Sequence, residues 1–135
     1  MSFKNIQIAL DTALKLDPSV PTIAWPNTLF TPTIGTPFVV PNILPAANTV
    51  STSVETYKGI YQIDINVPIN KGTSQIYAIA DAIKTYFQAK SLVANGQTTL
   101  IQAVSLGLVQ RDNAWYSTNV DINYSSFVYF IEDRQ

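Results

Sequence analysis

Tyr57-Lys58-Gly59-Ile60-Tyr61-Gln62-Ile63-Asp64-Ile65-Asn66-Val67-Pro68 is the stretch on which the fold turns. Tyr57, Gly59, Tyr61, Ile63, Ile65 and Val67 fall on one face at period two; Lys58, Gln62, Asp64 and Asn66 fall on the other, broken only by Ile60. That alternation marks a half-buried strand, and antiparallel sheets show it most cleanly. The run is about eleven residues long, against a usual five or six. Such a strand needs partners on both sides and a layer over its apolar face.

The neighbouring segments supply both. Downstream, Pro68 to Gly72 reads as a connection, with Thr73 or Ser74 as a helix cap. Ile76, Ile79, Ala80, Ile83 and Phe87 then form one apolar helical stripe. Asn95-Gly96, between the strand-like runs 91–93 and 97–101, is a strong hairpin signal, because both residues tolerate positive φ. The alternation continues to Val109, and 110–113 reads as a turn. A last strand runs from Trp115 to about Phe130; its phase slips at Ser125-Ser126, which predicts a β-bulge there.

Upstream, Ser2 is placed to cap a first helix with Phe3, Ile6, Leu10, Ala13 and Leu14 on one face and Lys4, Asn5, Asp11 and Lys15 mostly opposite. Asp17-Pro18 ends it. Seven of the eight prolines lie between 18 and 45, which excludes central sheet there. A short edge strand at 22–25, a loop to 36 and a strand from Phe38 to Leu44 fit that stretch. The small polar segment 46–53 reads as a mobile loop or arm. The expected fold is α+β: a mostly antiparallel sheet with both helices packed on one face.

At 135 residues the chain has the length of one domain, 1–135, able to bury about two-thirds of its unfolded surface. Only 13% of residues are charged, against about a quarter in ordinary domains. Either Ser, Thr, Asn and Gln make the surface polar, or part of the surface becomes subunit interface, where charge is depleted. Trp25 and Phe30 in the proline-rich stretch, with Val50 and Val54 around the small polar segment, are the candidate interface residues; the aromatics alternatively pad the core. Net charge is −1, with eight basic residues scattered among nine acidic ones, which argues against direct nucleic-acid binding. No apolar run reaches membrane-spanning length. The N-terminus is amphipathic rather than signal-like, so a cytosolic place of folding is expected.

Chemistry-bearing constellations are sparse. With no His and no Cys, Ser-His-Asp and Cys-His systems are excluded, together with the common zinc sites. There is no phosphate-cradling glycine motif. Asp64 and Asp121 lie on long strands and are the only carboxylate pair worth weighing as an acid pair or divalent-ion site; the simpler reading puts both on a solvated sheet face. Asn123-Tyr124-Ser125 matches a glycosylation acceptor but falls mid-strand. Tyr57, Tyr61, Tyr116, Tyr124 and Tyr129 form either a stacking platform for bases or, lacking accompanying Lys and Arg, cross-strand pairs.

Several segments resemble, in order and spacing, a family of small phage proteins, the tail terminator-like proteins: Ile23-Ala24-Trp25-Pro26-Asn27, Thr31 to Phe38, Leu44-Pro45-Ala46, Tyr57 to Ile65, the Gly72 turn, Ala80-Asp81-Ala82-Ile83, and Asp112 to Tyr116. Members often carry a glycine-rich loop where this chain has Ala47 to Ser53. The resemblance implies a fold related to the terminators of long non-contractile tails. It further implies a ring, expected to be a hexamer, that caps the tail tube, ends its polymerisation and meets the head connector. Expected partners are therefore other copies of the chain, the major tail tube protein and a head–tail connector protein. No catalysis, cofactor, metal or membrane enters, and the expected location is the virion tail, assembled in the host bacterial cytoplasm. The rival readings are another head–tail joining or neck factor, a small-molecule or carbohydrate-binding module using Trp25, Trp115 and the tyrosines, and, last, an enzyme built on Asp64 and Asp121.

Overall fold

The computed structural model describes residues 2–32, 35–46, 49–50, 53–69, 72–88, 90–107, 109–112 and 115–129. Its elements are α1 (Ser2–Leu16), β1 (Thr22–Ile23), β2 (Phe38–Pro45), β3 (Thr49–Val50), β4 (Val54–Pro68), α2 (Ser74–Phe87), β5 (Ser91–Ala94), β6 (Gln97–Leu106), β7 (Gln110–Asp112) and β8 (Trp115–Tyr129). The alternating stretch lies in β4, at the middle of one sheet of order β1-β2-β4-β8-β6-β5. β4 and β8 pair antiparallel without interruption, from Val54 opposite Tyr129 to Pro68 opposite Trp115. The two-residue β3 and three-residue β7 extend this ribbon at its two ends, against β4 and β8 respectively.

The prolines of β2 follow the ladder. Ala46 N–H donates to Lys58 O at 2.8 Å, so the even-numbered backbone groups of β2 point at β4. The odd-numbered groups point to the outer edge, where Ala24 N–H donates to Val39 O at 2.8 Å. Pro41 and Pro45 fall in the odd series, so their missing N–H costs no bond to β4. β1 covers that edge only as far as Val39, and in parallel orientation; it is the one parallel pair in a sheet otherwise antiparallel throughout the described residues.

Both helices cover one face, as the periodicity predicts. α1 lies over β5 and β6, and α2 over β4, β6 and β8. Ile6, Leu10 and Leu14 of α1 join Ile76, Ile83 and Phe87 of α2 against Tyr61, Ile63, Ile65 and Val67 of β4 and Val120, Ile122 and Tyr124 of β8. Each fully buried isoleucine contributes about 1.5–3 kcal/mol relative to exposure. The Asn95-Gly96 hairpin forms as read, with φ of 52° and 79°.

Four expectations need correction. β8 has no bulge at Ser125-Ser126; its register with β4 is continuous. The irregularity lies on the neighbouring β6, between Ile101 and Ala103, where Gln102 is the extra residue. The apparent phase slip in β8 is a polar residue pointing into the core layer. Ser126 is fully buried, donates to Thr98 O at 2.8 Å and accepts from Gln97 Nε2 at 2.7 Å. Residues 110–112 form β7 rather than a turn; Asn113 lies outside the described residues. Ser2 is the first residue of α1 rather than its cap, and Thr73 occupies the cap position of α2 without a side-chain hydrogen bond to it. Within 46–53, Thr49 and Val50 pair with Thr56 and Glu55, while Ala47, Asn48, Ser51 and Thr52 lie outside the described residues.

Candidate functional site

The sheet face away from the helices is open. Across β4 and β8 it presents Gln62, Asp64 and Asn66 beside Ser117, Asn119, Asp121 and Asn123, all half-buried. These side chains bond to one another. Asn119 Nδ2 and Gln62 Nε2 donate to Asp121 Oδ1 at 2.8 and 3.2 Å, and Ser117 Oγ donates to Asn66 Oδ1 at 2.6 Å. Asp64 sits opposite Asn119 and Asp121 opposite Gln62, so the two carboxylates are diagonal neighbours on one face. Burial first, and then the Asp121 charge, push the Asp64 carboxyl above its ordinary range. The sequence therefore identified a real pair, and the amides of Gln62 and Asn119 on the same face bind one member of it, Asp121. Among the described residues no group of three or more His, Cys, Asp or Glu side chains is placed to hold a metal.

A groove of about 650 Å³ lies elsewhere, between α1 and the proline-bearing edge of β2, lined by Asp11, Lys15, Trp25, Pro41, Ile43 and Tyr61 among others. Its polar centre is saturated. Tyr61 donates its hydroxyl to Asp11 Oδ1 at 2.5 Å, and Gln7 Nε2 donates to Asp11 Oδ2 at 3.1 Å. Burial, then the charge of Asp11 and the hydrogen bond to it, hold the Tyr61 hydroxyl protonated far above the usual tyrosine range. The sequence reading put Asp11 with the residues opposite the apolar stripe. The clue it passed over is that Asp11 flanks Leu10 and Leu14, so it borders the buried stripe instead of opposing it.

The other candidates separate. Tyr57, Tyr61 and Tyr124 are buried on the covered face and form no platform for bases; Tyr116 is half-buried against the core. Phe30 packs at 5.2 Å against Phe38 with the rings tilted by 43°, and the Phe38 ring meets Trp115 edge-on at 5.0 Å, near the Pro68 end of β4. Val50 is 63% exposed and Val54 half-buried at the opposite end. Trp25 packs against the core beside the groove. The structure thus spreads the four candidate interface residues over the length of the sheet rather than gathering them into one patch. Asn123 is half-buried in mid-β8. No described helix is long and apolar enough to cross a membrane.

Residues 5–124 match the family model described as phage tail terminator protein. The chain belongs to the phage tail terminator family. It is a structural protein of phage tails by that membership, as the ordered segments from Ile23 to Tyr116 imply. The terminator-family chain also resembles solved structures, eight chains of which match. One is 22% identical with a TM-score of 0.73, covering 98% of this chain and 99% of that chain. At that identity the likeness is one of fold. No curated protein matches the sequence.

Proposed function

We propose that this chain is the terminator of a long phage tail. Copies assemble into a ring, hexameric in number, on the last ring of the tail tube. The ring ends polymerisation of the tube protein and offers its other side to the head connector. It does this by fitting, without catalysis. The observation that carries the reading is the family match across residues 5–124. Two features support it. The open face carries amide–carboxylate and hydroxyl–amide bonds among its own side chains, suited to a contact surface. The net charge of −1 gives passing DNA no basic wall to grip. Trp25, Phe30, Val50 and Val54 are proposed as contact residues between subunits or with the tube.

Light scattering and negative-stain images of the purified protein, alone and mixed with tail tubes, test this. A ring-shaped particle, or density seated on tube ends, is expected. A particle that stays a monomer at every concentration and never binds tubes would refute it.

A further inference from the structure

Asn95 and Gly96 form the tip of the β5–β6 hairpin, and a row of side-chain bonds runs from that tip into the core. Asn95 Nδ2 donates to Asn5 Oδ1 of α1 at 2.9 Å. Asn5 Nδ2 donates to Gln97 Oε1 at 3.2 Å, and Gln97 Nε2 to Ser126 Oγ at 2.7 Å. Ser126 gives its one hydroxyl hydrogen to Thr98 O at 2.8 Å and also accepts from Thr99 Oγ1 at 3.3 Å. The direction of the row is set from its buried end. A backbone carbonyl only accepts, so Ser126 must accept from Gln97. Gln97 must then turn its oxygen to Asn5, and Asn5 must turn its oxygen to Asn95. Gln97 and Ser126 are buried. The outermost donor is the amide of Asn95, the exposed member of the row. Asn95 is also the only asparagine in the chain followed by glycine. Nothing lies within 4 Å of where a Gly96 side chain would begin, which leaves room for a ring to close. The Gly96 N–H meets no backbone carbonyl among the described residues.

We infer that Asn95 is a site of spontaneous deamidation, and that its conversion unfastens the hairpin from α1. The Gly96 backbone nitrogen loses its proton and attacks Asn95 Cγ. A bond forms between that nitrogen and Cγ, the Cγ–Nδ2 bond breaks, and Nδ2 takes up a proton and leaves as ammonia. Water then opens the cyclic imide at either carbonyl, giving aspartate or isoaspartate. Both products remove the outermost donor, and the fixed direction of the row leaves Asn5 no way to turn and replace it. The isoaspartate form does more, because its main chain passes through the former side-chain carbon. That lengthens a two-residue turn, which pairs Ala94 with Gln97 through φ values of 52° and 79°. Gln97 is drawn away from Ser126, and the buried end of the row opens.

Peptide mapping by mass spectrometry of the folded, full-length protein, aged at mildly alkaline pH, tests this. The peptide containing Asn95 should gain the mass of amide-to-acid exchange several-fold faster than any other asparagine peptide, and an isoaspartyl methyltransferase should label it. The converted protein, separated by anion exchange, should unfold at a lower denaturant midpoint. It should also exchange backbone hydrogens faster in β5, β6 and the first turn of α1. Asn95→Asp carries the charge on a chain of normal length and should lose less stability than the isoaspartate form. Asn95→Gly keeps the positive φ without an amide, and ageing should leave its midpoint unchanged. Retention of the Asn95 amide in the folded protein, while the same site converts in urea, would overturn the site and show that the bond to Asn5 locks it. A converted protein with unaltered midpoint and exchange would overturn the unfastening.

Discussion

Tyr61, Ile63, Ile65 and Val67 point at the helices and are fully buried, while Gln62, Asp64 and Asn66, one residue along, are polar and half-exposed. The two faces of this sheet differ in what holds them. The covered face is held by packing, so its energy depends on shape and volume. The open face is held by polar side-chain bonds within β8 and between β8 and β4, each worth about 0.5–1.5 kcal/mol net. A change that creates a cavity on the first face should cost several times more than the loss of any one bond on the second.

The largest contrast comes from truncation. Ile63→Ala should destabilise by about 2–5 kcal/mol, read as a lower denaturant midpoint with unchanged slope. Gln62→Ala, beside it on the open face, should cost no more than ~1 kcal/mol. Equal costs would mean that the open face is as tightly packed as the covered one.

Gly59 sharpens the comparison. A Cβ there would lie 2.5 Å from the Tyr124 hydroxyl and 2.7 Å from Leu44 O. Gly59→Ala should therefore cost roughly 1–3 kcal/mol through overpacking. Removing the hydroxyl in the double variant with Tyr124→Phe should recover only part, because the Leu44 carbonyl remains. Full recovery would place all the strain on the side chain.

The bond from Tyr61 to Asp11 is a smaller effect. Tyr61→Phe should cost about 1 kcal/mol by chemical denaturation, since Gln7 still serves the carboxylate. An unchanged midpoint would show that solvent replaces the bond without loss.

Asp64 gives the smallest effect and one of opposite sign. Its carboxyl is raised above 3.8 in the fold by burial and then by Asp121. The folded state thus binds this proton more tightly than the unfolded chain, and ionisation destabilises the fold. The penalty is absent below the unfolded value of 3.8 and complete above the raised folded value. Asp64→Asn should stabilise the protein at neutral pH by less than ~1 kcal/mol, the group being half-exposed and screened. That gain should fade as pH falls toward 4. A loss of stability at neutral pH would show that the carboxylate is instead needed where it stands.

Much of this was legible in the chain because periodicity reports burial directly. The β4 alternation, the α2 stripe from Ile76 to Phe87 and the Asn95-Gly96 turn each carry their own local physics. Ser126 was misread for the same reason. A serine satisfied by Gln97 and Thr98 O looks in sequence like a strand changing phase, since its partners lie 29 and 28 residues away. The parallel pairing of β1 was equally hidden, because two residues carry no orientation. On the open face, Asp64 and Asp121 were visible as a pair, but the amides that bind Asp121 were not, as register sets those contacts. The groove at Asp11 and Tyr61 joins residues 50 apart, beyond the reach of any local pattern.

The central claim is that the chain acts by capping a tube. Purified tail tubes incubated with this protein and then given fresh, excess tube protein test it most directly, with tube length measured in negative stain. The account predicts that treated tubes keep their length and carry added density at one end while untreated tubes grow. Growth at the same rate in both samples, with bare ends, would contradict it.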